Sequence, residues 1–143
     1  MSDIRIIIKN SDYEAILAHC KKNLPEEACG LLAGTVEGDT KSVAKVYLLE
    51  NTDHSNEHFT ISPKDQFACL KDARANGLTI LGNFHSHPES PSRPSEEDKR
   101  LANDTNAEYL ILSLMEPENP VFKAFGVDQE KQVTVHEISY VDE

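Results

Sequence analysis

The order in which short apolar runs alternate with helix signals is the feature that most limits the fold of this chain. Helical spacing predicts helices from about residue 10 to Pro25, with a capping-box pattern at Ser11 and Glu14, from Pro63 to Asn76, and from Ser95 to about Asn103. Short apolar runs predict strands at residues 4–8, 28–33, 43–49, 78–87, 109–114, 121–127 and 133–140, with a short extended piece at 58–61. Helices that alternate with strands and then give way to three closing strands predict an α+β or mixed α/β domain, in which helices cover one central sheet.

The length of the chain bears on its domain organisation and on the role of any metal. No linker, repeat or low-complexity stretch divides the 143 residues, so we expect one compact domain over residues 1–143. At this length a chain can bury roughly two-thirds of the surface that its unfolded form exposes, and a sizeable core forms without disulfides or a metal. A metal bound here is therefore expected to be functional rather than structural.

Charge and cysteine content restrict the partners and the compartment. The 14 lysines and arginines against 25 aspartates and glutamates give a formal charge of −11, and no basic patch offsets it. An acidic surface repels phosphate backbones and anionic lipids, so we expect neither a nucleic acid nor a membrane as partner. The three cysteines do not form a disulfide framework, and the apolar run at residues 4–8 is far too short to span a membrane. These features predict a cytoplasmic protein.

Two histidines and an aspartate form the most informative motif of the sequence. His85 and His87 end a predicted strand, and side chains two apart on a strand point the same way, roughly 7 Å apart along the chain. Ser86 points the other way. A proline-rich loop at residues 88–94 then lets the next helix return Asp98, in its first turn, toward the same point. Three protein ligands and an open position for water are typical of catalytic zinc.

Each of these residues also has an ordinary structural interpretation. A lone histidine at the end of a strand is usually a hydrogen-bonded surface or core residue, and Ser95 and Asp98 alone form a helix-capping pattern. Their combination favours a metal site. Two possible ligands lie on one strand face, and a short loop brings the acid at the start of the next helix close to them. Upstream, Glu27 taken alone is expected to be an exposed acid after Pro25, and composition does not distinguish it from Glu26.

These residues, with others along the chain, resemble the sequence pattern of the JAMM (MPN+) metallopeptidases. The resemblance rests on the motif formed by His85, Ser86, His87, Pro88, Ser95 and Asp98, on Glu27 two residues before Cys29 in the run EACGLLAG, and on Asn51 and the segment 59–63. It implies that His85, His87 and Asp98 bind one catalytic Zn²⁺, that Glu27 exchanges protons with the attacking water and the leaving amine, and that Ser95 helps to hold the oxyanion. It also implies a cytidine-deaminase-like α/β/α sandwich, with a central mixed sheet covered by helices.

The resemblance further implies a substrate. JAMM enzymes cleave peptide or isopeptide bonds after the Gly-Gly tail of ubiquitin or ubiquitin-like proteins, and this chain is most similar to the stand-alone prokaryotic members, which act on small sulfur carriers. The chain has no room for the long insertions with which the eukaryotic deubiquitinases grip ubiquitin chains. Two other hypotheses remain: a catalytically silent MPN scaffold that binds proteins, and a DNA-repair-associated relative, which fits poorly with the acidic charge. The oligomeric state is left open.

The sequence argues against two other zinc motifs and against a metal-binding role for two other histidines. Residues 54–58 fit H-x-x-E-H, but that motif needs a helix, and a turn before it and an extended segment after it predict a loop instead. Nucleobase deaminases need H-x-E with P-C-x-x-C, and the chain has neither. His19 in a helix and His136 in a late strand are expected to be structural.

Overall fold

The computed structural model describes residues 4–142, so residues 1–3 and 143 of the predicted domain lie outside the described part. The elements are β1 (Arg5–Lys9), α1 (Asn10–Lys22), β2 (Cys29–Glu37), β3 (Thr40–Leu49), α2 (Pro63–Ala75), β4 (Thr79–His87), α3 (Glu96–Leu101), β5 (Glu108–Ser113), β6 (Val121–Val127) and β7 (Val133–Val141). No helix among residues 4–142 is both long enough and apolar enough to cross a membrane.

The predicted α/β/α sandwich of the cytidine-deaminase type is wrong, because the seven strands close into a barrel. Their order is β1-β3-β2-β4-β5-β6-β7, and β7 returns to pair with β1. β1 is parallel to both of its neighbours: Arg5 pairs with Thr40 of β3 on one side and with Glu137 of β7 on the other. A layered sandwich needs an open sheet with two edges, and the two-sided pairing of β1 removes both edges.

Local sequence signals place the helices well. Ser62 caps α2 by accepting a hydrogen bond from the Asp65 backbone N–H, with Pro63 in the first turn. α1 begins at Asn10, as predicted, but the predicted capping box at Ser11 and Glu14 is wrong, because Lys9 is the N-cap and makes no side-chain capping hydrogen bond. α3 ends at Leu101, two residues earlier than expected, and the extended piece at residues 58–61 joins no strand.

β4 is the strand that positions the candidate site. It lies between β2, which is antiparallel to it, and β5, which is parallel to it, so that His85 pairs with Cys29 on one side and Ile111 on the other. Phe84 is fully buried in the main apolar cluster together with Leu110 and Leu112 of β5. At Gly30, across from Phe84, an added Cβ would overlap the Phe84 ring and the Tyr47 carbonyl, so only glycine allows the strands this approach.

Candidate metal centre

His85 and His87 lie on one face of β4 at the end of the strand, and both are buried. Their Nε2 atoms are 3.2 Å apart. Ser86, between them, faces the opposite side, where its Oγ accepts a hydrogen bond of 2.8 Å from the backbone N–H of Ala28. The alternation expected from a strand therefore brings the two imidazoles to one point.

Asp98 reaches the same point from the first turn of α3. Its Oδ2 lies 3.2 Å from Nε2 of His85 and 3.1 Å from Nε2 of His87. The reciprocal capping box holds it there: Oδ2 accepts from the Ser95 backbone N–H, and Ser95 Oγ accepts from the Asp98 backbone N–H. The loop is tied to the strand as well, because Nδ1 of His87 lies 2.9 Å from the Pro91 carbonyl oxygen. That contact orients the ring so that its Nε2 faces the other two groups.

The three facing atoms fit a zinc ion. They form a nearly equilateral triangle with sides of 3.1 to 3.2 Å. Zinc–ligand bonds of about 2.0–2.1 Å in tetrahedral geometry place neighbouring ligand atoms about 3.3–3.4 Å apart, so an ion needs only a small expansion of this triangle. Two imidazoles and one carboxylate are also the kind of donor set that catalytic zinc sites use. Within residues 4–142, His85, His87 and Asp98 form a group whose ligand atoms lie close enough together to hold one metal ion.

The charge states of Asp98 and His85 agree with a cation site, whereas for His87 burial is outweighed by hydrogen bonds to Asp98 and to the Pro91 carbonyl, which raise its pKa. Burial opposes the ionisation of Asp98, but hydrogen bonds from His85 and His87 outweigh it and hold the pKa of this carboxyl well below its usual range. Burial lowers the pKa of His85. Asp98 is thus an anion and His85 favours its neutral form, as a metal requires of both ligands.

Glu27 lies next to this group, immediately before β2. The backbone N–H of Ser86 bonds the Ala28 carbonyl at 3.0 Å, and continuing this register sets Glu27 across from His87. The side chain is buried, and its Oε1 has no hydrogen-bond partner among the described residues. Burial raises the pKa of Glu27 to about 8; His87 opposes the rise, and Asp98 and Glu97 add to it.

The neighbouring acid Glu26 is placed differently. Its carboxylate lies 3.1 Å from Nδ1 of His54 on the exposed side of the loop. Of the two adjacent glutamates, only Glu27 is buried beside the histidine pair, so the structure separates two residues that composition alone does not.

Asn51 organises the loop that covers Glu27. Its Nδ2 donates to the backbone carbonyls of Glu27 and His58, and its Oδ1 accepts from the backbone N–H groups of Asp53 and Thr60. The loop brings Phe59 against the site, where its ring stacks on His85 with centroids 4.6 Å apart. The sequence does not predict this contact, because no local pattern joins residues 59 and 85.

The remaining histidines are held elsewhere. His54 contacts Glu26, and Nδ1 of His58 lies 3.0 Å from Asp53, so the H-x-x-E-H segment is a loop whose histidines do not converge. Nε2 of His19 lies within 3.1 Å of two backbone carbonyls, which confirms its structural role. His136 is also structural: it bonds the buried carboxylate of Glu108 at 2.6 Å.

Comparison with known proteins agrees with the geometry. The model of a family described as prokaryotic homologs of the JAB domain matches residues 9–126. The chain is 26% identical over 125 residues to a CysO-cysteine peptidase of Mycobacterium tuberculosis, covering 85% of this chain and 82% of that protein. It is 28% identical over 118 residues to a desampylase of Haloferax volcanii, covering 79% and 84%. A solution structure of a Desulfitobacterium hafniense protein superposes with a TM-score of 0.89 at 48% identity, covering 96% and 94%.

Proposed function

Because this chain belongs to the family of prokaryotic JAB-domain homologs, we propose that it is a zinc-dependent hydrolase that cleaves the peptide or isopeptide bond after the C-terminal Gly-Gly of a ubiquitin-like or sulfur-carrier protein. The names of the relatives, a CysO-cysteine peptidase and a desampylase, support a protease that acts on such carriers. The observation that carries the proposal is the triangle of His85, His87 and Asp98 beside the buried carboxyl of Glu27, whose Oε1 has no hydrogen-bond partner within residues 4–142.

In this proposal His85, His87 and Asp98 hold the zinc ion. Zinc bound there would act as a Lewis acid and would lower the pKa of a water molecule to about 7. Phe59 covers one face of the His85 ring, and Asp98 is fixed by its capping box, so neither ligand is free to turn away. These contacts pre-organise the ligands before the metal enters.

Glu27 is the proton carrier of the proposal. Its carboxyl must accept a proton from the attacking water and later pass it to the leaving amine, which requires a pKa near the working pH. Burial is the largest of the effects that together raise the pKa of Glu27 to about 8. A neighbouring cation favours the ionised form and brings that pKa down toward neutrality. Oε1 has no hydrogen-bond partner among residues 4–142, so it is not committed to another described group of the site.

Ser95 combines a structural role with a catalytic one. Its Oγ accepts the hydrogen bond from the Asp98 backbone N–H, which uses one of the lone pairs of the hydroxyl group. The O–H proton is left free to be donated, so the same side chain can cap α3 and stabilise negative charge that develops on the scissile carbonyl oxygen.

The test is to incubate the protein with carriers extended beyond Gly-Gly, as linear fusions and as lysine conjugates, and to identify the products by mass spectrometry. A zinc chelator is expected to abolish cleavage. Glu27→Ala should retain zinc and lose cleavage, whereas His85→Ala should lose both, and Glu26→Ala is the matched control that keeps both. An active Glu27→Ala enzyme would refute the mechanism. Zinc below about half an equivalent in the purified protein would favour a silent scaffold.

A further inference from the structure

The loop between β3 and α2 contacts two parts of the candidate metal centre. It comprises residues 50–62, which form neither a helix nor a strand, so its shape is not fixed by a hydrogen-bonded ladder. Most of its residues are exposed, whereas Asn51 is buried. A buried amide is nearly always hydrogen-bonded, and its partners show which parts of the chain it holds.

One pair of these partners lies on the two sides of Phe59. Nδ2 of Asn51 donates to the His58 carbonyl at 3.1 Å, and Oδ1 accepts from the Thr60 backbone N–H at 3.1 Å. The peptide groups just before and just after Phe59 are thus both bonded to one amide. This fixes the main chain where the Phe59 ring stacks on His85, with centroids 4.6 Å apart and ring planes 26° apart.

The stacked ring is important because His85 lacks the contact that orients the other histidine. Nδ1 of His87 lies 2.9 Å from the Pro91 carbonyl oxygen, and a contact of this kind usually fixes a metal-binding imidazole. Nδ1 of His85 is buried and has no hydrogen-bond partner within residues 4–142. The ring of Phe59 therefore supplies the support for His85 that a hydrogen bond supplies for His87.

The same amide holds the main chain of Glu27. Nδ2 of Asn51 donates to the Glu27 carbonyl at 3.0 Å, and the Glu27 N–H donates to the Ser55 carbonyl of the loop at 2.7 Å. The backbone N–H and C=O of Glu27 are therefore both bonded to the loop. Because the position of a side chain follows from that of its main chain, a displaced loop would move the Glu27 carboxyl relative to the metal ligands.

We infer that Asn51 is a positioning residue whose single buried amide holds both the proton carrier Glu27 and, through the stacked ring of the loop, the metal ligand His85. The inference rests on the proposed function, because it concerns the same site. Removal of the amide frees the inner side of the loop, while exposed hydrogen bonds between Thr52 and Thr60 still close it.

Three measurements test the inference without cleavage. In metal-free Asn51→Ala, NMR should show that the His85 ring protons lose the ring-current shift caused by Phe59. Hydrogen exchange of the Glu27 amide should become at least about tenfold faster, because the loop opens more often. The zinc dissociation constant should rise about 10- to 100-fold, as it does when other contacts that orient a metal ligand are removed. Phe59→Leu should weaken zinc binding in the same way but leave the exchange of the Glu27 amide unchanged.

Kinetics with carrier substrates at saturating zinc should separate the two variants. Asn51→Ala should lower kcat about 10- to 100-fold with little change in KM, because the proton carrier is displaced while contacts with the substrate remain. Phe59→Leu leaves Glu27 held by the loop and should recover most of its kcat once zinc is saturating.

Two further variants distinguish positioning from a general loss of stability. Asn51→Asp keeps the shape and the acceptor oxygen of the side chain but loses its N–H donors, and it should show the same defects even if Asn51→Ala does not fold. Glu108→Gln is the control: Glu108 pairs with Gly82, about 16 Å along β4 from His87 at about 3.3 Å per residue. It should lower stability but keep the zinc affinity and kcat of the wild type.

Several results would overturn the inference. Asn51 variants that bind zinc as the wild type does, or that leave the exchange of the Glu27 amide unchanged, would show that one amide does not hold both residues. Equal losses in Glu108→Gln would attribute the effects to stability alone. A wild-type protein that binds zinc and cleaves no carrier would refute the proposed function, and the exchange and zinc measurements on the Asn51 variants would still decide whether Asn51 positions both residues.

Discussion

Replacing Glu27 with glutamine should stabilise the metal-free protein, and the size of the effect should depend on pH. Burial raises the pKa of this carboxyl from 4.5 to about 8, so the folded protein binds the proton more tightly than the unfolded chain does. Below pH 4.5 both states are protonated and the shift contributes nothing. As the pH rises from 4.5 toward 8, the unfolded state loses the proton first, and the folded state is destabilised relative to it.

The magnitude follows from the interval over which only the unfolded state is ionised. At pH 7 that interval is about 2.5 pH units, and at 1.36 kcal/mol per unit the cost is about 3 kcal/mol; at pH 5.5 it is about 1 kcal/mol, and at pH 4 it is close to zero. Glutamine carries no charge at any of these values. Metal-free Glu27→Gln should therefore be more stable than the wild type by about 3 kcal/mol at pH 7, or roughly 10 °C in thermal midpoint for a chain of this length.

The assay is urea unfolding of chelator-treated proteins at pH 4, 5.5 and 7. Glu26→Gln, at the neighbouring and more exposed acid, is the matched control and should shift the midpoint little. Adding zinc should reduce the advantage of Glu27→Gln, because a cation stabilises the carboxylate but not the amide. Equal midpoints for wild type and Glu27→Gln at pH 7 without metal would refute the reasoning, since burial would then not disfavour the ionised carboxyl.

Two further predictions test the support of the site and of the fold. Ser95→Ala should lower the free energy of unfolding by about 1 kcal/mol, because the helix cap is lost, and should also slow carrier cleavage. Ser95→Asp should retain the cap but not the hydroxyl donor. Equal cleavage rates for the wild type and both variants would remove Ser95 from the mechanism. Glu108→Gln should lower the free energy of unfolding by about 3–5 kcal/mol, because it leaves Lys41 and His136 without their buried carboxylate. Urea unfolding measures this change, and a decrease below about 1 kcal/mol would contradict the prediction.

Local signals in the sequence predict the positions of the three helices and the convergence of His85, His87 and Asp98, but not the capping of α1. Pro63 and Ser62 mark the start of α2, and the two-residue period of a strand puts His85 and His87 on one face. The return of Asp98 also followed from a local pattern, the capping box with Ser95. In each case the residues that decide the geometry are close in sequence, so propensity and period are informative.

The parts that sequence reasoning missed depend on contacts between distant segments. The pairing of Ile6 with Ile138, which closes the barrel, joins β1 to a strand near the other end of the chain, and no apolar pattern within either strand records that pairing. The same is true of the contact between the rings of Phe59 and His85.

The candidate site holds buried polar atoms that are not hydrogen-bonded within the described part of the chain. Oε1 of Glu27 and Nδ1 of His85 are buried and have no hydrogen-bond partner within residues 4–142, and both residues belong to the candidate metal centre. By contrast, the equally buried Glu108 has both of its carboxylate oxygens paired. A chain selected for stability alone would pair or remove such atoms, since each one costs free energy when it is left unsatisfied. Their position at one site is what we expect if part of its charge balance comes from a bound cation, which would favour the charged form of Glu27.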